Sequence, residues 1–134
     1  MEIRKTDIDL TEIETACGLE HWEGRKLTFA AFDKDKPIAF VSADYVLDEC
    51  SIYDVGTLPE YRKMGIAYSL LESLIDECKK RDFAFITLEV RSENTPAIRL
   101  YEKCGFSLCG RRKNYYKNPI DDALIYTLNL RGEL

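Results

Sequence analysis

The segment "CSIYDVGTLPEYRKMGIAYSLLESLIDECKKRDFAFITLEV", residues 50–90, decides the fold because its apolar pattern changes period twice. "CSIYDVGT" (50–57) predicts a strand. From residue 64 apolar side chains recur at helical spacing, which predicts a long amphipathic helix that ends near Arg81. "FAFITLEV" (83–90) is continuously apolar up to Glu89, as is typical of a strand covered on both faces. The three elements predict a βαβ unit with a right-handed crossover.

The residues before this unit predict antiparallel structure. "EIRKTDI" (2–8) is typical of a short strand, and "LTEIETAC" (10–17) of a short helix with one apolar face. Two apolar, β-rich runs then flank the charged turn "KDK" (34–36), a pattern that indicates a hairpin.

The residues after the unit predict one more helix and two more strands. "NTPAIRLYEKCG" (94–105) has a cap at Asn94 or Thr95, a proline in the first turn and a glycine at the stop. "FSLCGRRKNYY" (106–116) and "DALIYTLNL" (122–130) predict an antiparallel pair. With 134 residues and no linker-like tract, the chain predicts one mixed α/β domain over 1–134.

Composition limits the classes of partner. The 19 basic and 24 acidic residues give a net charge of -5, so no global attraction for nucleic acid or an anionic membrane is expected. No stretch approaches the roughly 20 apolar residues of a membrane span, and no signal peptide is evident, which favours the cytoplasm. Five cysteines without a C-x-x-C pair read as reduced core residues, and with one histidine no metal site is expected.

"RKMGIA" (62–67) stands between the predicted strand and helix of the βαβ unit. A helix N-terminus offers unpaired N–H donors, and Gly65 allows backbone to approach a ligand, so the segment indicates a cradle for a diphosphate. The alternative is a plain turn with solvated cations. A glycine in a first turn costs about 0.5–1 kcal/mol relative to alanine, which weighs against that alternative.

The chain resembles the GNAT family of N-acetyltransferases, in particular the ribosomal-protein-alanine N-acetyltransferase (RimI) type. The resemblance rests on Q/R-x-x-G-x-G/A, matched by Arg62, Gly65 and Ala67, and on "VLDE", "LLESLIDE", "LEVRSEN", "AIRLYEKCGF" and "RRKNYY". It implies a GNAT fold and acetyl-CoA as cosubstrate. The residues implied in acetyl-CoA binding are Val55, Gly56, Thr57, Arg62, Lys63, Met64, Gly65, Ile66, Ala67, Tyr68 and Asn94.

Glu89 is the candidate general base. Strand alternation groups it with Phe85 and Thr87, so we expect it to face a mostly buried layer where desolvation would raise its pKa. The alternative from the residues alone is a carboxylate at a strand end paired with Arg91 or another cation. The resemblance implies the proton-accepting role, since the glutamate of "LEV" has it in RimI-like enzymes.

Tyr101 is the candidate general acid. From spacing alone it is a core aromatic, whereas the resemblance implies that it protonates the departing thiolate. Gly56 is expected to permit close approach of the cofactor or a β-bulge, and Asn94 to cap a helix, contact the cofactor, or both. The resemblance places Tyr115, and more weakly Tyr116, beside the acceptor.

The function implied is N-acetylation of a protein N-terminus. Two alternatives stay open: acetylation of a small amine or amino acid, and a non-catalytic acyl-CoA sensor. The segment 17–32 looks shorter than its RimI counterpart, which puts the acceptor groove in question. Residues His21 and Trp22 read as a solvated side chain and a packed one. The sequence leaves a monomer and a weak dimer both open.

Overall fold

A seven-stranded sheet in the order β1-β2-β3-β4-β5-β7-β6 carries three helices. The computed structural model describes residues 1–132. The strands are β1 (Glu2–Lys5), β2 (Leu27–Asp33), β3 (Lys36–Val46), β4 (Glu49–Thr57), β5 (Phe85–Arg91), β6 (Ser107–Tyr116) and β7 (Asp121–Asn129). The helices are α1 (Thr11–Ala16), α2 (Ile66–Lys80) and α3 (Thr95–Lys103), and one 3₁₀ turn spans Pro59–Tyr61.

The predicted mixed α/β architecture is confirmed. Strand pairs are antiparallel throughout except for β4 with β5, which run parallel and are joined by α2. The predicted hairpin is β2–β3, and the last two predicted strands form the β6–β7 pair. The βαβ unit therefore stands at the centre of the sheet, with antiparallel strands on both sides.

Helix α2 is anchored in the core by the apolar side chains whose helical spacing predicted the helix. Its buried side chains are Ile66, Leu70, Leu71, Leu74, Ile75 and Cys78. The helix packs against β2, β3 and β4, where fully buried residues such as Val41 and Cys50 complete the core. Lys79 and Lys80 lie in the last turn, where positive charge is favourable to the helix dipole. Burial of the apolar side chains fixes the position of the first turn of α2.

Two sequence expectations about burial are wrong. In β5 only alternate residues, Ile86, Leu88 and Val90, are buried, so this strand is covered on one face rather than two. Cys109 is exposed on β6, because β6 is an edge strand in which no residue is buried. Within residues 1–132, no helix has the length and apolar composition needed to cross a lipid bilayer.

Candidate active site

The candidate site lies where β4 and β5 part. The two strands pair only through Glu49–Ser51 opposite Phe85–Thr87, so the rest of β4 has no partner on that side. The resulting cleft measures about 360 Å³. It is lined by Ser51, Ile52, Tyr53, Thr87, Leu88, Glu89, Arg112, Tyr115, Tyr116 and Ile125. The early end of pairing thus gives the sheet an opening in its middle.

A β-bulge accompanies this separation, but not at Gly56. The register of β3 with β4 shifts between Ser42 and Ala43, which leaves Tyr53 as the extra residue on β4. Gly56 stays in register with Phe40, and a Cβ on it would lie 2.8 Å from the buried Phe40 ring. The expectation of a bulge at Gly56 is therefore wrong, and its small size is required by packing on Phe40.

The start of α2 has the properties of an anion cradle. Gly65 precedes the helix with φ +78°, Lys63 has φ +65°, and neither an acidic residue nor a side-chain cap occupies the first turn. No backbone N–H from Lys63 to Tyr68 donates a hydrogen bond within residues 1–132; the first helical bond is from Ser69 N–H to the Gly65 carbonyl. Six free donors at a positive helix end suit a diphosphate.

Arg62 links the cradle to the strand before it. Its Nε donates to the carbonyl of Thr57, the last residue of β4, at 3.1 Å. Lys63 and Met64 are exposed beside it. The predicted cofactor residues of β4 and of the α2 start therefore adjoin one another in space.

Gly65→Ala tests the cradle. A Cβ at this position meets no atom within 4 Å, so only the left-handed backbone opposes the substitution. We expect a loss of about 1–2 kcal/mol in the free energy of unfolding and weaker binding of acetyl-CoA, both measurable by denaturant titration and calorimetry. Gly18→Ala is the matched control, because Gly18 has φ +74° and equally open space. It should lower stability alone; equal loss of acetyl-CoA affinity in both variants would contradict the cradle.

Glu89 differs from the expectation of a buried carboxylate. Its side chain is 34% exposed, and its Oε2 lies 2.6 Å from Nε of Arg112 on β6. The expected burial is absent because the side chain borders the open cleft. The alternative of a carboxylate paired with a cation is correct, although the partner is Arg112 rather than Arg91. An ion pair facing a cleft remains accessible to an incoming amine.

Tyr101 is the one fully buried residue of α3. Burial raises the pKa of Tyr101 to about 12, with smaller contributions from Tyr116, Asp54 and Cys104. The phenol is therefore fully protonated at neutral pH and has a proton to donate. Tyr116 interacts electrostatically with both candidate groups. It contributes to the raised pKa of Tyr101, and burial followed by the charge of Glu89 raises the pKa of Tyr116 itself.

Two other predicted residues have defined contacts, and a nearby cysteine is unreactive. The Asn94 side chain caps α3 by accepting a hydrogen bond from Ala97 N–H at 3.3 Å, so the capping prediction is confirmed. Tyr115 lines the cleft and is 50% exposed, and its ring meets that of Tyr116 edge-on at 5.1 Å. Burial raises the pKa of Cys104 to about 11, which leaves little thiolate at neutral pH.

Comparison with known proteins decides the family. The family model described as the acetyltransferase (GNAT) family matches residues 3–106. This chain belongs to the GNAT family of acetyltransferases. It is an acyltransferase by that membership, and the predicted GNAT fold is confirmed.

The relatives and the solved structure that are similar to this acetyltransferase carry the same kind of name. The [ribosomal protein bS18]-alanine N-acetyltransferase of Escherichia coli K12 is 41% identical over 106 residues, 78% of this chain and 72% of the relative. The protein of that name from Haemophilus ducreyi is 35% identical over 133 residues, covering 90% and 92%. The crystal structure of the ribosomal-protein-S18-alanine N-acetyltransferase from Escherichia coli superposes with a TM-score of 0.85 at 32% identity, covering 96% and 94%.

Contacts that the sequence did not predict are made by residues of α1 and of the segment after it. Glu14 of α1 is 1% exposed and its Oε1 lies 2.7 Å from Nδ1 of His21. Trp22 stacks on Tyr53 with ring centroids 3.9 Å apart. Residues 17–26 contain no helix, and the Trp22–Tyr53 contact holds this segment against β4. A signal for Glu14 was present, because it follows Leu10 by four residues and shares the apolar face of α1.

Two further charged groups were also missed. Asp54 lies on β4 just after the bulge, and burial, followed by the charge of Glu14, raises its pKa. Arg112 was visible only as part of "RRKNYY", with nothing to indicate its contact with Glu89. Within residues 1–132, no group of three or more His, Cys, Asp or Glu side chains is arranged to hold a metal ion.

The Glu14–His21 contact predicts a pH dependence of stability. The hydrogen bond to Glu14, and a smaller contribution from Glu23, raise the pKa of His21 in the folded protein. A raised folded pKa stabilises the fold fully below about pH 6.5, the unfolded value, and this stabilisation is lost as pH rises through the folded pKa. The melting temperature should therefore fall with rising pH across that range. His21→Gln should remove the dependence, and an unchanged slope in this variant would contradict the assignment.

Proposed function

We propose that the protein transfers the acetyl group of acetyl-CoA to the N-terminal α-amine of a protein, with an N-terminal alanine of a ribosomal protein as the leading acceptor. The observation that carries the proposal is the cleft between β4 and β5, which has an accessible carboxylate on one strand and an N–H cradle beyond the end of the other. The relatives at 35–41% identity, whose names specify alanine N-acetylation, support the choice of acceptor.

The chain's own residues offer a place for each part of acetyl-CoA. The N–H groups from Lys63 to Tyr68 would bind the diphosphate. The unpaired edge of β4 at Val55–Thr57 would hydrogen-bond the pantetheine arm, and a backbone N–H near Val55 would polarise the thioester carbonyl. Asn94, already engaged in capping α3, would border the cofactor. Acetyl-CoA itself supplies an activated acyl group with a thiol leaving group.

Glu89 and Tyr101 would then move the protons. Glu89 accepts a proton from the acceptor ammonium, directly or through water, and the free amine forms the new N–C bond as the C–S bond breaks. Tyr101 donates its phenolic proton to the departing sulfur, and the second proton that the acylated nitrogen loses returns through water to the Tyr101 phenolate. Glu89 then releases its proton to solvent. No covalent enzyme intermediate is required, in agreement with the raised pKa of Cys104. Because an N-terminal amine has a pKa of about 7.7–8.0 and is already partly neutral at physiological pH, a modest base is sufficient to deprotonate it.

Incubation of the protein with acetyl-CoA and a panel of acceptors tests the proposal, with release of free CoA and product mass as readouts. We expect transfer to Ala-initiated peptides, the bS18 N-terminus among them. Transfer to small amines or amino acids alone would favour a small acceptor, in keeping with the short segment 17–26. Binding of acetyl-CoA without release for any acceptor would indicate a sensor. The proposal places the protein in the cytoplasm, where thiols are kept reduced, and its five free cysteines suit that compartment.

A further inference from the structure

The ion pair of Glu89 with Arg112 places a hydrogen-bond donor beside the carboxylate that would bind the acceptor amine. The register of the sheet places Glu89 opposite Ile125 of β7, and Ile125 opposite Gly110 of β6. Arg112 follows Gly110 by two residues and so lies on the same face of β6. Because Gly110 has no side chain, Arg112 reaches across Ile125 to Glu89. The contact is therefore built into the strand register.

Most of the Arg112 guanidinium is free for a ligand. Its Nε lies 2.6 Å from Glu89 Oε2, and the side chain is 58% exposed. The Cζ atom of the guanidinium lies 5.8 Å from the centroid of the Tyr115 ring. Within residues 1–132, no other ion pair or hydrogen bond engages its two terminal nitrogens, and both charged side chains line the cleft. A guanidinium presents five donors in a planar fork, so an oxygen acceptor is its natural ligand.

We propose that Arg112 donates a hydrogen bond to the carbonyl oxygen attached to the amine-bearing carbon of the acceptor, and so selects α-amines over simple amines. This inference rests on the proposed function. In an N–Cα–C=O unit the nitrogen and oxygen are about 2.7–3.6 Å apart, as standard bond lengths require. The ion pair joins Nε of Arg112 to Oε2 of Glu89 at 2.6 Å, so the two side chains lie in contact with their remaining polar atoms side by side in the cleft. The amine would bind Oε1 of Glu89 and the carbonyl a terminal nitrogen of Arg112, and the ion pair itself would stay in place.

The free α-carboxylate of an amino acid has the same oxygen in the same place. The shared chemistry is an oxygen acceptor one carbon away from the amine carbon, and the two sources differ in charge. Alanine amide, an Ala-initiated peptide and free alanine distinguish them. In 2-aminopropane a methyl group replaces the carbonyl of alanine amide, so it is the matched acceptor that lacks the oxygen.

The experiment compares wild-type protein with Arg112→Gln for each acceptor, as the ratio of kcat/KM values. We expect Arg112→Gln to reduce kcat/KM for alanine amide and the peptide by roughly 10- to 100-fold, the effect of losing a hydrogen bond from a charged donor. For 2-aminopropane the reduction should be smaller by about threefold or more, because that acceptor loses only the ion pair of Arg112 with Glu89 and never makes the bond. A larger loss for free alanine than for the amide would identify a carboxylate as the preferred group.

Arg111→Gln is the matched control. Arg111 is 60% exposed, is paired with Asp122 at 3.3 Å, and lies on the opposite face of β6, so no acceptor should respond to its loss. Equal losses for all acceptors in Arg112→Gln would overturn the inference, since Arg112 would then act only on Glu89 or on folding. Unchanged rates for every acceptor would overturn it as well.

A binding measurement separates failure of the inference from failure of the proposed function. Alanine amide and 2-aminopropane are titrated into the CoA complex of each variant and followed by NMR. If the wild-type protein transfers acetyl to no acceptor, the proposed function fails. Weaker binding of alanine amide, but not of 2-aminopropane, in Arg112→Gln would still support the inference, and equal binding by both variants would overturn it.

Discussion

Glu89→Gln should lower kcat by roughly 10²- to 10⁴-fold at about pH 6.5, the range that general base catalysis typically contributes. At that pH most of an α-amine with a pKa of about 7.7–8.0 is protonated, so a proton acceptor is needed most. Above about pH 9 the amine is already neutral, and the loss should shrink. Initial rates across this range, measured by release of CoA, check the prediction.

Glu49→Gln is the control for that substitution. Glu49 is an exposed carboxylate opposite Phe85, at the paired end of β4 and β5, away from the cleft. Both variants should keep their affinity for acetyl-CoA, because neither side chain belongs to the N–H cradle. If Glu89→Gln kept wild-type rates at low pH, another group would have to accept the proton. Asp54, whose pKa is raised by burial, would be the first to examine.

Tyr101→Phe should lower kcat by about 10²-fold without unfolding the protein. The ring, which packs 6.0 Å from that of Phe106, is retained in the variant, so only the proton donor is lost. Since burial holds the pKa of Tyr101 at about 12, the wild-type pH–rate profile should have no alkaline decline due to this residue below about pH 11. Steady-state kinetics and thermal melting of the same samples check both statements.

Tyr126→Phe provides the comparison for Tyr101→Phe. Tyr126 is a similarly buried tyrosine, 3% exposed, and its hydroxyl donates to Glu102 Oε2 at 3.0 Å. This variant should melt at a lower temperature but keep its rate, because its hydroxyl lies in a structural hydrogen bond. Equal loss of rate in both variants would mean that buried phenols matter only for packing here.

Local periodicity was sufficient to predict the fold. The helical spacing of Leu70, Leu74 and Cys78, and the cap at Asn94, are properties of short segments and appear in the structure as expected. The parallel pairing of β4 with β5 followed from the order of elements. These features depend on neighbours within a few turns of chain, which the sequence states directly.

The surroundings of Glu89 could not be predicted in the same way. Whether a strand face is covered depends on distant elements, and here Glu89 borders an open cleft. The partner Arg112 arrives through the register of β5 with β7 and β7 with β6. The pairing of Glu14 with His21 likewise depends on how the segment after α1 folds back. In each case the missing information was a contact between remote residues.

The short contact between β4 and β5 also has a mechanical side. Strands β1 to β4 form one part of the sheet and strands β5 to β7 the other. Within residues 1–132 the strand pairing between the two parts is limited to three residue pairs, while the hydrophobic core includes residues of both. A molecule that lies in the cleft between β4 and β5 and contacts both parts of the sheet adds a second connection between them. Binding of such a molecule therefore also stiffens the sheet, because the free energy gained from binding across the cleft opposes the widening of the cleft.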